Sequence, residues 1–402
     1  MAIVAWSPIE QEIRLDAVVI DGRLAAKRLR TTRTSGLAGA LAAQPIMQIP
    51  QRLSQLFPLC GTAHAVAGIA AFEAALRIEV APAQQALREL LVLAEHGAAL
   101  GWRILMDWPP LLDAPPQVRA CADIRRAAGA IGSFAAGAAW TRIGGARLRV
   151  DQGALARAVA ALARMLVELF PEAAEPALPW TALESALARG TSTPARLIAA
   201  ARAGAMADYG SHDRPALPRL DAAWFARRLA ADPGFSDAPT LDGTPAEVGA
   251  FAARRHPLVD EAATCWGPTL ATRLLAAALD AAVVAAQLSR AVDALANDDP
   301  VAVDPTRAGH GAGVVETARG PLSYFVDIAD ARVRALRGVA PTEWNFHPEG
   351  PFMAALDGAP PVPDPVHAAR LLAASFDPCA PLRIETPSDL RPAANAERAY
   401  HA

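Results

Sequence analysis

The pattern of apolar and polar positions predicts a mainly helical chain with short strands near both ends. Residues 13–20 are rich in apolar and β-branched side chains, and residues 23–29 repeat this character. Asp21-Gly22 between them is a strong signal for a type I′ turn, so the first element is predicted to be a β-hairpin. Residues 31–50 show poor periodicity and are interpreted as a linker.

Several longer segments repeat apolar residues at three- and four-residue intervals, which is the period of an amphipathic helix. In one of them, Leu87, Leu90 and Leu91 share a face, and Pro109-Pro110 stops the pattern. The predicted helices cover residues 61–81, 83–107, 151–170, 194–203, 221–231 and 268–296.

The period changes to two after the last long helix. Residues 314–317, 323–328 and 332–338 alternate as strands do, and Ala329-Asp330 is predicted to be a turn between the last two. The fold class expected from the pattern is therefore mainly α with small antiparallel β elements (α+β).

Composition excludes several classes of protein. The 402 residues are 53% hydrophobic and 20% charged with a formal net charge of −3, so the chain can bury a large core and offers no basic footprint for nucleic acid. Residues 53–72 carry no Asp, Glu, Lys or Arg, but polar residues and Pro58 interrupt them, and we expect no membrane span. Glu10 and Glu12 lie where a signal peptide needs an apolar core, so a cytoplasmic location is expected.

Short catalytic motifs are missing from the sequence. The four cysteines, at positions 60, 121, 265 and 379, are far apart without a CxxC, which argues against a zinc knuckle or a disulfide framework. No GxSxG, P-loop or HExxH is present, so hydrolase, NTPase and zincin classes have no support. Residues 309–313 are glycine-rich, but they follow no clear strand and are expected to precede one, so a dinucleotide-binding loop is not predicted.

Four separated segments form an ordered set of motifs. They are Pro-Ile-Glu at 8–10, Leu-Cys-Gly-Thr-Ala-His at 59–64, Glu-Thr-Ala-Arg-Gly at 316–320 continuing to Val-Ala-Pro-Thr-Glu-Trp-Asn-Phe-His-Pro at 339–348, and Ser-Phe-Asp-Pro-Cys-Ala-Pro-Leu at 375–382. In this order they resemble the large subunit of nickel–iron hydrogenases. The resemblance covers nearly the whole chain and implies one large-subunit-like domain. Its parts would be a hairpin at 1–30, a helical body at 60–300, strands and a C-terminal cofactor motif at 313–385, and a loose tail at 386–402.

The departures from that family concern the metal ligands. In the family, two pairs of cysteines hold nickel and iron, and the second cysteine of each pair bridges the metals. Cys60 and Cys379 match the first position of each pair, whereas Ala63 and Leu382 occupy the bridging positions. A methyl or isobutyl group cannot donate to a metal, so neither nickel binding nor hydrogen turnover is expected. Glu385 replaces the histidine that ends the family's processing site, and the residues after it are not expected to be a cleaved tail.

The matching positions imply a site for an iron fragment. The iron of the family carries two cyanides and one carbon monoxide. Cys60 and Cys379 would be its protein ligands. Arg319 would lie beside one cyanide, and the Thr342 hydroxyl would donate to the other cyanide. Cys60-Gly61 precedes a predicted helix, and residues 377–379 look like another helix start. Amide groups at such positions favour the thiolate that a metal needs.

Other candidate residues have weaker assignments. The resemblance matches Glu10 to a glutamate that relays protons near nickel, and its retention without nickel suggests a structural role. His64 could be a ligand, a helix cap or a surface residue, and His96 is expected to be packed. Cys121 and Cys265 match no motif and are expected to be core or surface thiols.

A degenerate large-subunit homologue of this kind resembles the HupK (HoxV) family of hydrogenase maturation proteins. That resemblance implies a non-catalytic scaffold that transiently holds an Fe(CN)2CO fragment. Its partners would be the maturation proteins that deliver the fragment and the hydrogenase large-subunit precursor that receives it. Two alternatives remain open: a redox subunit with an altered metal site, and a metal-free interaction protein that mimics the large subunit.

Overall fold

A computed structural model describes residues 12–31, 40–57, 59–135, 140–175 and 177–386. Glu10 and the predicted tail from residue 387 onward lie outside the described residues, as does the beginning of the predicted hairpin segment.

The described strands form two three-stranded sheets. In the first, β1 (Ile13–Ile20) pairs antiparallel with β2 (Arg23–Thr31) and parallel with the C-terminal β6 (Leu382–Glu385). The turn between β1 and β2 has positive φ at both Asp21 and Gly22, as a type I′ turn requires. The second sheet is antiparallel with the order β3-β4-β5. These three strands are Gly309–Thr317, Gly320–Ala329 and Arg332–Val339.

Helices make up most of the rest. The α-helices are α1 Ile49–Leu56, α2 Gly61–Leu76, α3 Pro82–Trp102, α4 Val118–Ala135, α5 Gln152–Val167, α6 Trp180–Arg189, α7 Thr193–Ala201, α8 Ala222–Ala231, α9 Ala250–Ala253, α10 Pro257–Trp266, α11 Leu270–Ala291, α12 Pro341–Asn345, α13 Pro351–Asp357 and α14 Pro365–Phe376. Short 3-10 helices cover Ile46–Gln48, Pro109–Leu112, Pro171–Ala173, Gly204–Asp208, Pro233–Ser236 and Val292–Ala294, and a π-helical turn covers Arg103–Asp107.

Helix α11 forms the centre of the helical core. It packs against α3, α5 and α7, and its residues are buried on most of its circumference. A helix that is apolar all round needs such an environment. By length and composition, the segment Leu270–Ala294 is also the one candidate for a membrane span among the residues that the structure describes, but 61% of its most apolar window is buried inside the fold.

The second sheet packs directly on α2. Gly309, Gly311 and Gly313 alternate along β3 and face this helix, and a Cβ added at Gly311 would lie 2.4 Å from the Ala75 nitrogen. The glycines therefore allow close contact between strand and helix. The expectation that residues 309–313 precede a strand is wrong, because they form its first half.

The predicted fold class is confirmed: the chain is mainly helical with small sheets. The hairpin, the six predicted helices and the three C-terminal strands are all present, with boundaries that move by a few residues. The sequence reasoning did not predict several elements. Helix α1 lies partly in the predicted linker, and α4, α6, α10, α13, α14 and the parallel strand β6 were also missed.

Candidate functional site

Cys60 lies at the N-terminus of α2, as predicted. It is the N-cap residue, and its carbonyl oxygen accepts the His64 amide at 3.0 Å. The next residue, Gly61, packs so closely on α1 that a Cβ there would lie 2.2 Å from the Ser54 carbonyl oxygen. Close packing of the two helices thus fixes the position of the chain at Cys60.

A half-buried glutamate from α3 satisfies the open end of α2. The Glu95 carboxylate accepts the amide of Thr62 at 2.6 Å and the amide of Ala63 at 2.9 Å. Burial raises the pKa of Glu95, although these hydrogen bonds and the charge of Arg319 oppose the rise. Glu95 therefore holds the start of the helix next to Cys60 and feels the positive charge of Arg319.

Cys379 lies in a loop, and the predicted helix start at residues 377–379 is wrong. Helix α14 ends at Phe376, and Asp377 is its C-cap residue with a left-handed φ of 48°. The chain then passes through Cys379 to strand β6. The helix amides that we expected to favour a Cys379 thiolate are consequently absent from this position in the described structure.

Thr342 supplies a different neighbour for the Cys379 sulfur. It lies in the first turn of α12 and is almost completely buried. Its Oγ1 lies 3.1 Å from Cys379 Sγ and accepts the Cys379 amide at 3.4 Å. A hydroxyl at this distance can donate to a thiolate.

Arg319 fixes the loop that carries Cys379. It lies in the tight turn between β3 and β4, where its amide donates to Thr317 Oγ1 at 3.1 Å. Its Nε donates to the Asp377 carbonyl oxygen at 3.1 Å and lies 2.8 Å from Asp377 Oδ2. Its Nη2 donates to Asp377 Oδ1 at 3.3 Å. Only Pro378 separates Asp377 from Cys379 in the sequence.

Asn345 holds the same loop from a second side. Its Nδ2 donates to the Val248 carbonyl oxygen at 3.1 Å and to that of Phe376 at 3.5 Å, while its Oδ1 accepts the Val248 amide at 3.0 Å. Asn345 is fully buried. The residue before Asp377 is thus tied to the segment that packs behind Arg319.

The structure brings three of the four predicted site residues to one loop: Cys379, Thr342 and Arg319. The fourth, Cys60, lies at the start of the helix whose Thr62 and Ala63 amides donate to Glu95, and Glu95 in turn feels the charge of Arg319. No group of three or more His, Cys, Asp and Glu side chains in the described part of the chain is arranged to hold a metal ion. Ala63 is buried in α2, and Leu382 belongs to β6. The roles of the four residues as ligands stay predictions.

The remaining candidates have structural surroundings. The His64 ring is buried, stacks on Phe57 with centroids 3.6 Å apart, and places Nδ1 2.8 Å from the Tyr324 hydroxyl. Cys121 is buried in the helical core, where burial raises the pKa of its thiol. Cys265 is exposed on α10.

A second ionic network surrounds α11. Asp280 is completely buried and lies 2.7 Å from His96 Nε2, while Arg255 Nη1 donates to both of its oxygens at 3.1 and 3.0 Å. Burial alone would raise the pKa of Asp280, but the charges and hydrogen bonds of His96 and Arg255 lower it to about 2. His96 is packed, as expected.

A cleft of about 1270 Å³ opens beside this network, and its lining includes His96, Arg255 and Glu316. The four predicted site residues are not part of that lining. In the described structure, the cleft and the predicted iron site therefore lie in different places.

Sequence reasoning missed three residues that organise the site. Asp377 lies within the C-terminal motif, so its position next to Cys379 was available as a signal. Glu95 and Arg103 lie on the predicted second helix, where nothing in the pattern distinguishes them from surface charges. Their burial, and the ion pair of Arg103 with Asp377, appear only in the folded chain.

Comparison with solved structures shows the class of this fold. A chain of the NiFeSe hydrogenase from Desulfovibrio vulgaris Hildenborough superposes with a TM-score of 0.68 at 16% identity, covering 90% of this chain and 95% of that one. The hydrogenase from Desulfomicrobium baculatum gives a TM-score of 0.64 at 18% identity. A family model described as nickel-dependent hydrogenase matches residues 234–381. The fold is therefore that of a nickel-dependent hydrogenase subunit.

Comparison with known sequences is more specific. A hydrogenase expression/formation protein HupK from Rhizobium leguminosarum is 30% identical over 96% of this chain and 98% of its own length. The HupK protein of Bradyrhizobium diazoefficiens is 33% identical over 85% and 88%, and HoxV of Cupriavidus necator is 27% identical over 92% and 96%. The chain belongs to the HupK family of hydrogenase expression/formation proteins.

Proposed function

We propose that this protein is a non-catalytic scaffold in nickel–iron hydrogenase maturation, which transiently holds an Fe(CN)2CO fragment. The observation that carries the proposal is the grouping of Cys379, Thr342 and Arg319 around one loop, while Cys60 lies at the start of the helix that Glu95 caps. The names of its relatives as expression/formation proteins support an accessory role rather than an enzymatic one.

The donors around the loop suit the chemistry of this fragment. Two thiolates would hold an iron that already carries three diatomic ligands and would leave its coordination incomplete. Among the described residues, Arg319 uses Nε and Nη2 for Asp377, and its Nη1 would be the donor toward a cyanide nitrogen. The Thr342 hydroxyl, beside Cys379 Sγ, is a second donor.

The missing bridging thiols support release as well as binding. Ala63 and Leu382 provide no donor atoms, so the site offers two thiols instead of the four that hold the two metals in the family. A carrier needs such incomplete coordination, because its cargo must pass on. We propose that the large-subunit precursor receives the fragment and that iron-delivering maturation proteins supply it.

Infrared spectroscopy in the cyanide and carbon monoxide stretching region tests this proposal. The protein is purified anaerobically from a host that expresses the maturation machinery, beside Cys60→Ala and Cys379→Ala. Cys265→Ala is the matched control, because its thiol is exposed and belongs to no motif. We expect bands in the parent and the control that both site variants lose.

Two outcomes contradict the proposal. Bands that survive both substitutions mean that other residues hold the fragment. A parent without bands and with metal below stoichiometry points to a metal-free protein that mimics the large subunit.

A finer test compares Thr342→Val with Thr342→Ser: only the valine variant, which lacks the hydroxyl, should shift a cyanide band.

A further inference from the structure

Arg103 is a buried cation that the proposed iron site does not yet use. It follows α3 in the π-helical turn Arg103–Asp107, and only 4% of the residue is exposed. Such turns occur frequently at functional sites. Its guanidinium forms an ion pair with Asp377, while its Nε has no hydrogen-bond partner in the described part of the chain. The turn therefore places an incompletely satisfied arginine against the loop that carries Cys379.

Two guanidiniums share the Asp377 carboxylate, since Arg319 contacts it as well. Burial lowers the pKa of Arg103 well below its usual value, and the positive charge of Arg319 lowers it further, although Asp107 and Asp280 act in the opposite direction. Burying a cation without a full counter-charge is costly, so this position favours an additional anion.

The neighbouring acids are engaged elsewhere. Glu95 accepts two amides of α2, and burial raises its pKa, which disfavours its charged form. Asp280 is occupied by His96 and Arg255. Asp107 accepts the Trp102 indole N–H at 3.1 Å, and burial raises its pKa also. A negatively charged group at the two cysteines would neutralise the positive charge that Asp377 leaves on Arg103 and Arg319.

We propose that Arg103 makes this site selective for an anionic metal fragment over a bare divalent cation. Ferrous iron with two thiolates and two cyanides is a dianion, whereas a divalent cation on two thiolates is neutral. Two guanidiniums on Asp377, two positions before Cys379, stabilise the dianion, and their positive charge opposes the approach of a bare divalent cation to the two thiolates. The cargo named here rests on the proposed function, but the charge preference applies to any metal that Cys60 and Cys379 bind.

Zinc binding tests the charge preference without the iron fragment. Zn²⁺ is titrated against a chromophoric chelator in the metal-free full-length protein, in a Cys265→Ala background that removes the exposed thiol. With the titration run at a pH at which both cysteines are thiolates, Arg103→Met should bind Zn²⁺ roughly tenfold more tightly than the parent, because one positive charge near the incoming cation is removed. Arg103→Lys keeps the charge and should stay close to the parent.

Arg334→Met is the matched control. It removes one positive charge from an exposed side chain on β5 and should leave the zinc affinity unchanged. Circular dichroism checks that each variant is folded, and Arg103→Gln replaces the methionine variant if that variant precipitates. Equal zinc affinities in the parent and the folded, charge-removing variant overturn the inference.

Infrared spectra of the same variants, purified with the maturation machinery, separate this inference from the proposed function. We expect Arg103→Met to hold less cyanide-bearing iron and more zinc than the parent, with shifted cyanide bands. If the parent shows no bands but Arg103→Met binds zinc more tightly, the charge selectivity stands and the iron function fails. If the parent shows bands that depend on Cys60 and Cys379 but zinc affinities are equal, the function stands and the role of Arg103 fails.

Discussion

Glu247 offers a quantitative test of the electrostatics behind the candidate site. Its carboxylate accepts Arg273 Nε at 2.8 Å and Nη2 at 3.0 Å, and lies 2.9 Å from His212 Nε2. Burial alone would raise the pKa of Glu247, but the charge of Arg273 and the hydrogen bonds from His212 and Arg273 lower it to about 2. The next residue, Val248, packs against the turn that holds Arg319.

The direction of the pKa change sets the direction of the pH effect. A carboxyl whose pKa falls on folding stabilises the protein above its ordinary value, here 4.5, and loses this contribution as the pH falls toward the folded value. The difference between 4.5 and about 2 corresponds to about 3 kcal/mol. About 2 kcal/mol of that contribution should disappear between about pH 6 and about pH 3.

This loss of stability can be measured by urea unfolding, followed by circular dichroism. The parent and Glu247→Gln are compared across this pH range. The free-energy difference between the two proteins should shrink by about 2 kcal/mol as the pH falls, because the glutamine does not titrate. Leu197→Ala is the control: it removes buried apolar atoms and should cost about 2–5 kcal/mol at every pH. A constant difference for Glu247→Gln over the whole range would refute the reasoning.

Two further predictions concern the supports of the two cysteine segments. Asn345→Leu should lower the free energy of unfolding by about 3 kcal/mol in urea, because it leaves the amide and the carbonyl group of Val248 unpaired; a loss below about 1 kcal/mol would contradict this. Gly61→Ala should cost more than about 2 kcal/mol, since its Cβ would collide with the Ser54 carbonyl oxygen. Gly129→Ala, on a helix face with no atom within 4 Å of the added Cβ, should instead stabilise the chain by up to about 1 kcal/mol. Thermal unfolding of both alanine variants shows whether they move in opposite directions.

Local pattern predicted the elements whose signals lie within a few residues. The Asp21-Gly22 turn is an example, since both residues take the positive φ that their types favour. The long apolar face of α11 is another, because its period is a property of consecutive residues. Strand β6 was missed for the opposite reason: its four residues pair with β1, from the other end of the chain.

The error at Cys379 shows the limit of a local signal. Residues 377–379 contain Asp followed by Pro, a combination that also occurs at helix starts. In the folded chain the helix precedes them, and Asp377 ends it in a left-handed conformation. Cys379 therefore lies in a loop. The Thr342 hydroxyl lies next to its sulfur, and the ion pair between Arg319 and Asp377 holds the start of the loop.

The sequence by itself determined the fold class, the resemblance to a hydrogenase large subunit, the two retained cysteines and the absence of both bridging thiols. These features depend on residue types and their order. Only the tertiary structure decided that Arg103, Glu95 and Asp377 surround the candidate site. Burial and charge pairing between residues hundreds of positions apart depend on how the helices and sheets pack, and a linear pattern does not contain that information.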